Sequence, residues 1–157
     1  MNRPLLQKKI NLFVSLLFKI CKKTTNTFDL GLIVKEQENS SSSTEIFSCL
    51  KRVLKIERVN YDKAIAAERI SKRIAEILNT GKWIFLEIGE DIQGALLEQL
   101  ELLANYNTYR SFNLPDTSII IRMPEKSRLI VYAERDFIES KIKYPRFYSL
   151  FGPILTV

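Results

Sequence analysis

Polar residues Lys8, Asn11, Ser15, Lys19 and Lys22 recur every three or four positions near the start of the chain. Leu5, Leu6, Ile10, Leu12, Phe13, Val14, Leu16, Leu17, Phe18 and Ile20 fill the positions between them. This period predicts one amphipathic helix over residues 5–23, with a narrow polar stripe and a wide apolar face. The apolar run 12–18 is interrupted by Ser15 and is far shorter than the about 20 residues a bilayer requires. No Ala-x-Ala cleavage site follows it; Lys19, Ile20, Cys21 and Lys22 come next. Such a stripe is expected to pack on its own domain or a neighbour. A membrane-surface helix is the rival reading, because basic and apolar residues share the segment.

Residues 24–27 are a polar break, and the apolar run 30–34 has strand length. Lys35-Glu36-Gln37-Glu38-Asn39 and the serines Ser40, Ser41, Ser42 and Ser43 follow, a solvated loop with its Ser-rich part at 39–44. Ser42 and Glu45 stand at capping-box spacing ahead of Ile46, Phe47 and Leu50, which predicts a short helix. Residues 53–59 alternate apolar and charged positions, with Leu54, Ile56 and Arg58 on one side of a strand. Asp62 caps a predicted helix carrying Ile65, Arg69, Ile70, Ile74, Ile77 and Leu78, with Gly81 just past its end. Trp83-Ile84-Phe85-Leu86 reads as a buried parallel strand, followed by the acids Glu87, Glu90 and Asp91. A second helix is expected from about Ile92, burying Leu96, Leu97, Leu100 and Leu103. Phe112-Asn113-Leu114, the Pro115-Asp116 turn and residues 117–122 suggest a hairpin. Residues 128–132 and 154–157 supply two further strands. The alternation of strands and helices predicts an α/β sheet with an inserted β-hairpin.

Composition narrows the chemistry. The 157 residues are 46% hydrophobic and 27% charged, the balance of one globular domain. There is no histidine, which excludes Ser-His-Asp and Cys-His nucleophiles, imidazole-held zinc and histidine acid–base work. Cys21 and Cys49 have no metal or redox spacing and fit a reducing compartment. The net charge of +6 sits in the first helix: Arg3, Lys8, Lys9, Lys19, Lys22 and Lys23 precede the first acid, Asp29. Beyond Lys23 the charges balance. A nucleic-acid reader would spread its basic residues over the folded domain, so none is expected as a partner.

Acids at the end of a buried strand are where a nucleoside triphosphatase keeps its magnesium and water-activating carboxylates, and Glu87 and Glu90 are the weak candidates here. They read equally as loop charges near a helix start. The phosphate cradle that would decide the matter is missing: nothing matches Gly-x-x-x-x-Gly-Lys-Ser/Thr, and Gly81-Lys82 runs into Trp83 with Glu76 five residues before the glycine. Hydrolysis of ATP by this chain alone is therefore not expected, nor is a metal site. Glu87 with Asp91 could be read as a glycosidase pair, yet no aromatic cluster marks a sugar groove.

The stretch from Leu54-Lys55-Ile56-Glu57 to Gly81, then Phe85-Leu86-Glu87-Ile88-Gly89-Glu90-Asp91-Ile92 and Ala95-Leu96, resembles the fifth AAA module of dynein heavy chains. The motif is carried by Leu86, Glu87, Gly89, Glu90, Asp91, Ala95 and Leu96, with Arg128 in the later strand. Gly31-Leu32-Ile33-Val34-Lys35-Glu36-Gln37 looks like the family's Pro-Leu-Leu-Ile-Asp-Pro-Gln. The chain departs from the pattern at Lys35-Glu36, at Gln93-Gly94 and at Ala133-Glu134-Arg135-Asp136. The basic amphipathic helix, over 1–24, precedes the region of resemblance. The resemblance implies a partial AAA-type three-layer αβα module over 25–157. It also implies a non-hydrolytic, structural or relay role in microtubule-based movement, as a fragment or divergent paralogue. ATP and magnesium would belong to other modules of the ring. Partners would be those modules or dynein subunits, with microtubules reached only indirectly, in the cytoplasm, cytoskeleton or axoneme. The rival readings are a piece of another giant ring ATPase such as midasin or mysterin, a small enzyme using Glu87 and Glu90, and a membrane- or partner-binding module acting through residues 5–23.

Overall fold

The computed structural model describes residues 3–23, 29–36, 41–60, 73, 76–77, 80–88, 111–113, 120–122, 128–141 and 147–157. Helix α1 (Arg3–Lys23) leads into strand β1 (Asp29–Lys35) and helix α2 (Ser43–Lys51). Strands β2 (Ile56–Asn60) and β3 (Trp83–Glu87) follow, then β4 (Ser111–Asn113), β5 (Ile120–Arg122) and β6 (Arg128–Glu134). Helix α3 (Arg135–Lys141), a 3-10 turn (Phe147–Leu150) and β7 (Ile154–Thr156) complete the described elements.

Five strands form one sheet in the order β2-β3-β6-β1-β7, and every pairing in it is parallel. β1 lies inside the sheet, in register with β6 from Asp29↔Arg128 to Lys35↔Glu134 and with β7 through Leu32↔Ile154. Strands β4 and β5 pair antiparallel as a separate two-stranded ribbon, the expected hairpin. Its Pro115-Asp116 turn lies outside the described residues, as do Asp62 and the helix expected from Ile92. The helix expected before Gly81 is described at Arg73, Glu76 and Ile77. Gly81 has φ of +72°, a left-handed conformation that suits glycine at a helix end.

Parallel sheets need both faces covered. On one face Ile33, Ile56, Trp83, Phe85, Ile130 and Tyr132 join Leu6, Ile10, Phe13, Val14 and Leu17 of α1 and Ile46, Cys49 and Leu50 of α2 in a single core. Phe85 is its centre, stacked on Phe47 at 5.7 Å and tilted against Tyr132 at 5.8 Å. The alternate residues Leu32, Val34, Ile84, Leu86, Leu129, Val131 and Ala133 point to the other face and are buried as well. Phe137 and Ile138 of α3, Phe147 of the 3-10 turn and Phe151 just after it are buried outside the first core.

Two expectations need adjusting. The alternating stretch 53–59 becomes strand only from Ile56, because Val53 and Leu54 close the end of α2 with amide bonds to the Leu50 carbonyl. The apolar face of α1 is narrower than the sequence suggests. Leu6, Ile10, Phe13, Val14 and Leu17 are buried, whereas Leu12 is 65% and Leu16 43% exposed. A helix on one face of a sheet meets it along about 100° of its circumference, and these leucines fall outside that arc.

Candidate functional site

The direction of the chain creates the site. From β1 it crosses by α2 to the far edge at β2, returns through β3 to β6, then passes β1 to reach β7. The reversal falls between β6 and β1, and open parallel sheets take ligands beyond the carboxyl ends of their strands at such a point. A cavity of about 570 Å³ lies there. Lys35 ends β1, Glu87 and Ile88 leave β3, and Tyr132 and Glu134 end β6; Ser42 and Ser43 line it from the start of α2, and Asp136, Phe137 and Ser140 from α3.

Local sequence fixes the two helix starts. Ser42 is extended (φ −70°, ψ 161°) and its hydroxyl oxygen accepts from the Glu45 amide at 3.3 Å. The same hydroxyl is 3.3 Å from the Glu45 carboxylate, closing the capping pair that the spacing predicted. α3 was not legible as a helix. Arg135 anchors it, reaching Glu36 at 2.5 Å after β1 and Glu139 one turn on.

Across the cavity, Glu87 is not a solitary acid. Its carboxylate accepts from Arg58 Nε, while Arg58 Nη2 donates to Ser43 Oγ at 2.8 Å and Nη1 to Thr44 Oγ1 at 3.2 Å. One guanidinium thus joins β2, β3 and the first turn of α2, and the Arg58 and Glu87 side chains are only 30% and 18% exposed. Sequence reading singled out Glu87 and missed its partner. The signal was present: Arg58 shares the inward side of its strand with Ile56, and a half-buried guanidinium there requires a carboxylate.

Tyr132 separates Glu87 from Glu134. Burial pushes its phenol up to about 12, with Glu134 and then Glu87 adding to the effect and Arg58 opposing it. It is a hydrogen-bonding group at neutral pH and no acid–base catalyst there. At the amino end of the sheet, Lys82 donates to Glu57 at 3.0 Å and holds that carboxyl below its usual range, with Arg73 assisting.

Glu90, Gly89, Asp91, Ala95 and Leu96 lie outside the described residues. Of the motif residues, Leu86 is buried in β3 and Glu87 ends that strand. Arg128 opens β6, at the opposite end of the sheet from the cavity. Among the described residues no group of three or more histidine, cysteine, aspartate or glutamate side chains could hold a metal ion. A magnesium–phosphate group fits poorly: the segment between β1 and α2 has no glycine, and the Glu87 carboxylate is already engaged by Arg58. The cavity can form hydrogen bonds through Ser42, Ser43 and Ser140 and presents acids at Glu134 and Asp136.

No protein-family model matches the chain, and no curated protein matches it. Among solved structures it is similar to the Aeropyrum pernix ORC2 protein, determined as ADPNP–ADP complexes, at 12% identity and a TM-score of 0.48. The match covers 96% of this chain and 47% of that one, so the chain spans about half of ORC2's length. The likeness is weak and partial, and it is not to dynein. The fold is α/β, with a five-stranded parallel sheet. Similarity at this level concerns the path of the chain and carries no activity with it.

Proposed function

We propose that the chain is a non-hydrolytic AAA-like module of a dynein-type motor heavy chain, with a structural or relay role in microtubule-based movement. The observation that supports this reading is the Arg58 contact. A hydrolytic module leaves the acid at the end of such a buried inner strand free to work on metal and water. Here that acid is Glu87, and its carboxylate is spent on an ion pair that fastens β3 to β2 and α2. Fastened elements move together, as a relay within a ring requires. The proposed partners are neighbouring AAA modules or dynein subunits, and the proposed setting is the cytoskeleton or axoneme.

Two measurements test the reading. Calorimetry with ATP and with ADP, each with magnesium, is expected to give no saturable heat; micromolar binding would sink the non-hydrolytic role. Sedimentation with the purified modules that flank the fifth AAA module in a dynein heavy chain is expected to show a complex. Failure to form one, with nucleotide binding also absent, would leave an inert AAA-like module and remove the dynein assignment.

A further inference from the structure

The outer face of α1 has a pattern that neither the core nor the cavity uses. Leu12 and Leu16 are one turn apart and 65% and 43% exposed, and Leu5, 47% exposed, lies two turns before Leu12 on the same line. At 100° per residue, Lys8 and Lys19 border this ridge on one side and Lys9 on the other. The whole helix carries six basic residues and no acid. Exposed leucines flanked by lysines, on a helix whose opposite face is anchored in a core, are unusual on a surface meant only for water.

The same residues discriminate among occupants. A second copy of the chain docked on this face would set lysines against lysines. A helical partner would want apolar residues continuing at positions 8 or 9 and 19, and lysines stand at all three. A flat anionic surface meets both demands: leucines enter the boundary between headgroups and acyl chains while lysine stems lie along it and place their ammonium groups among the phosphates. No described helix is long and apolar enough to cross a membrane, so contact of this kind is with one leaflet. We infer that the Leu12–Leu16 ridge of α1, with Lys8, Lys9 and Lys19, is a docking surface for anionic lipid membranes. The inference is independent of the motor-module reading and of the cavity.

Vesicle co-sedimentation of the full chain tests it, using phosphatidylcholine alone and phosphatidylcholine mixed with phosphatidylserine. The chain is expected to pellet with the mixed vesicles, to remain in solution with the zwitterionic ones, and to be released by rising salt. The double variant Leu12→Gln/Leu16→Gln, which leaves the buried face intact, is expected to bind about tenfold or more weakly. Lys8→Glu/Lys19→Glu is expected to lose the preference for phosphatidylserine, with both variants keeping the wild-type circular dichroism. Equal pelleting with both lipids, no pelleting with either, or undiminished binding by the leucine variant overturns the proposal. So does self-association without lipid that the leucine variant abolishes, since that would give the ridge to a second copy.

Discussion

Arg58 shows how much one side chain decides in this molecule. Its guanidinium faces a carboxylate and two hydroxyls drawn from two other elements. Arg58→Ala leaves Glu87 largely buried without its charged partner, and a loss of about 1–3 kcal/mol is expected, read as a lower urea midpoint. Glu87→Gln in the Arg58→Ala background should cost far less than Glu87→Gln alone. Additive losses in that double-mutant cycle would show that the pair does not act as a unit. Tyr132 gives a pH signature. Its phenol is held neutral up to about pH 12 in the folded chain, against an ordinary value near 10. Between those values the unfolded chain releases the proton and the folded chain keeps it, so stability falls as pH rises through this window. The loss is on the order of 2 kcal/mol and is absent below pH 10. Difference absorbance of tyrosinate between wild type and Tyr132→Phe should isolate a step near pH 12; a step near 10 would contradict the buried environment. At this scale the sequence was half legible. Its acids were visible, but the partner of Glu87 sits 29 residues earlier and becomes a neighbour only through the β2–β3 register.

Among elements, α1 and β1 meet closely at Gly31. A Cβ on Gly31 would stand 2.8 Å from Phe13 Cζ, closer than carbon atoms tolerate, and 3.1 Å from Leu17 Cδ2, a tight contact. Glycine at this position lets the helix lie directly on the strand. Gly31→Ala should push α1 away and cost about 1–3 kcal/mol, with Phe13→Leu in the same chain recovering part of it. Fluorescence of Trp83, whose ring packs edge-on against Phe18 at 6.0 Å, reports the displacement. An unchanged spectrum and stability would mean that the Phe13 and Leu17 side chains make room without moving the helix. Most described elements were readable from their periods: α1, the capped start of α2, the continuous apolar β3 and the hairpin. α3 was not, because its short stretch Arg135-Asp136-Phe137-Ile138-Glu139-Ser140-Lys141 offers one apolar pair and no repeat. Its helical state depends on contacts with β6 and Glu36 that exist only after folding. The width of the buried face of α1 was overestimated for a related reason, since periodicity marks which residues are apolar but not how far a sheet extends around them.

For the molecule as a whole, sheet order matters more than any single element. β1 is flanked by β6 and β7, and Leu32 and Val34 also share amide–carbonyl bonds with Pro153 and Val157. Removing residues 154–157 would turn β1 into a sheet edge bearing Leu32, Ile33 and Val34. Such a chain is expected to aggregate at concentrations where the full chain stays dispersed, as light scattering would show. Strand order was the part least visible in the sequence, because alternation announces a parallel sheet without saying which strands are neighbours. That order also has a consequence in time. β1 is made at residues 29–35, yet its two neighbours follow only at 128–134 and 154–156. The nascent chain must carry this strand, and the helix that lies on it, without lateral partners until Arg128 and the residues after it have been made. Contacts of such long sequence separation make folding slow, and the waiting segment is the kind that chaperones hold.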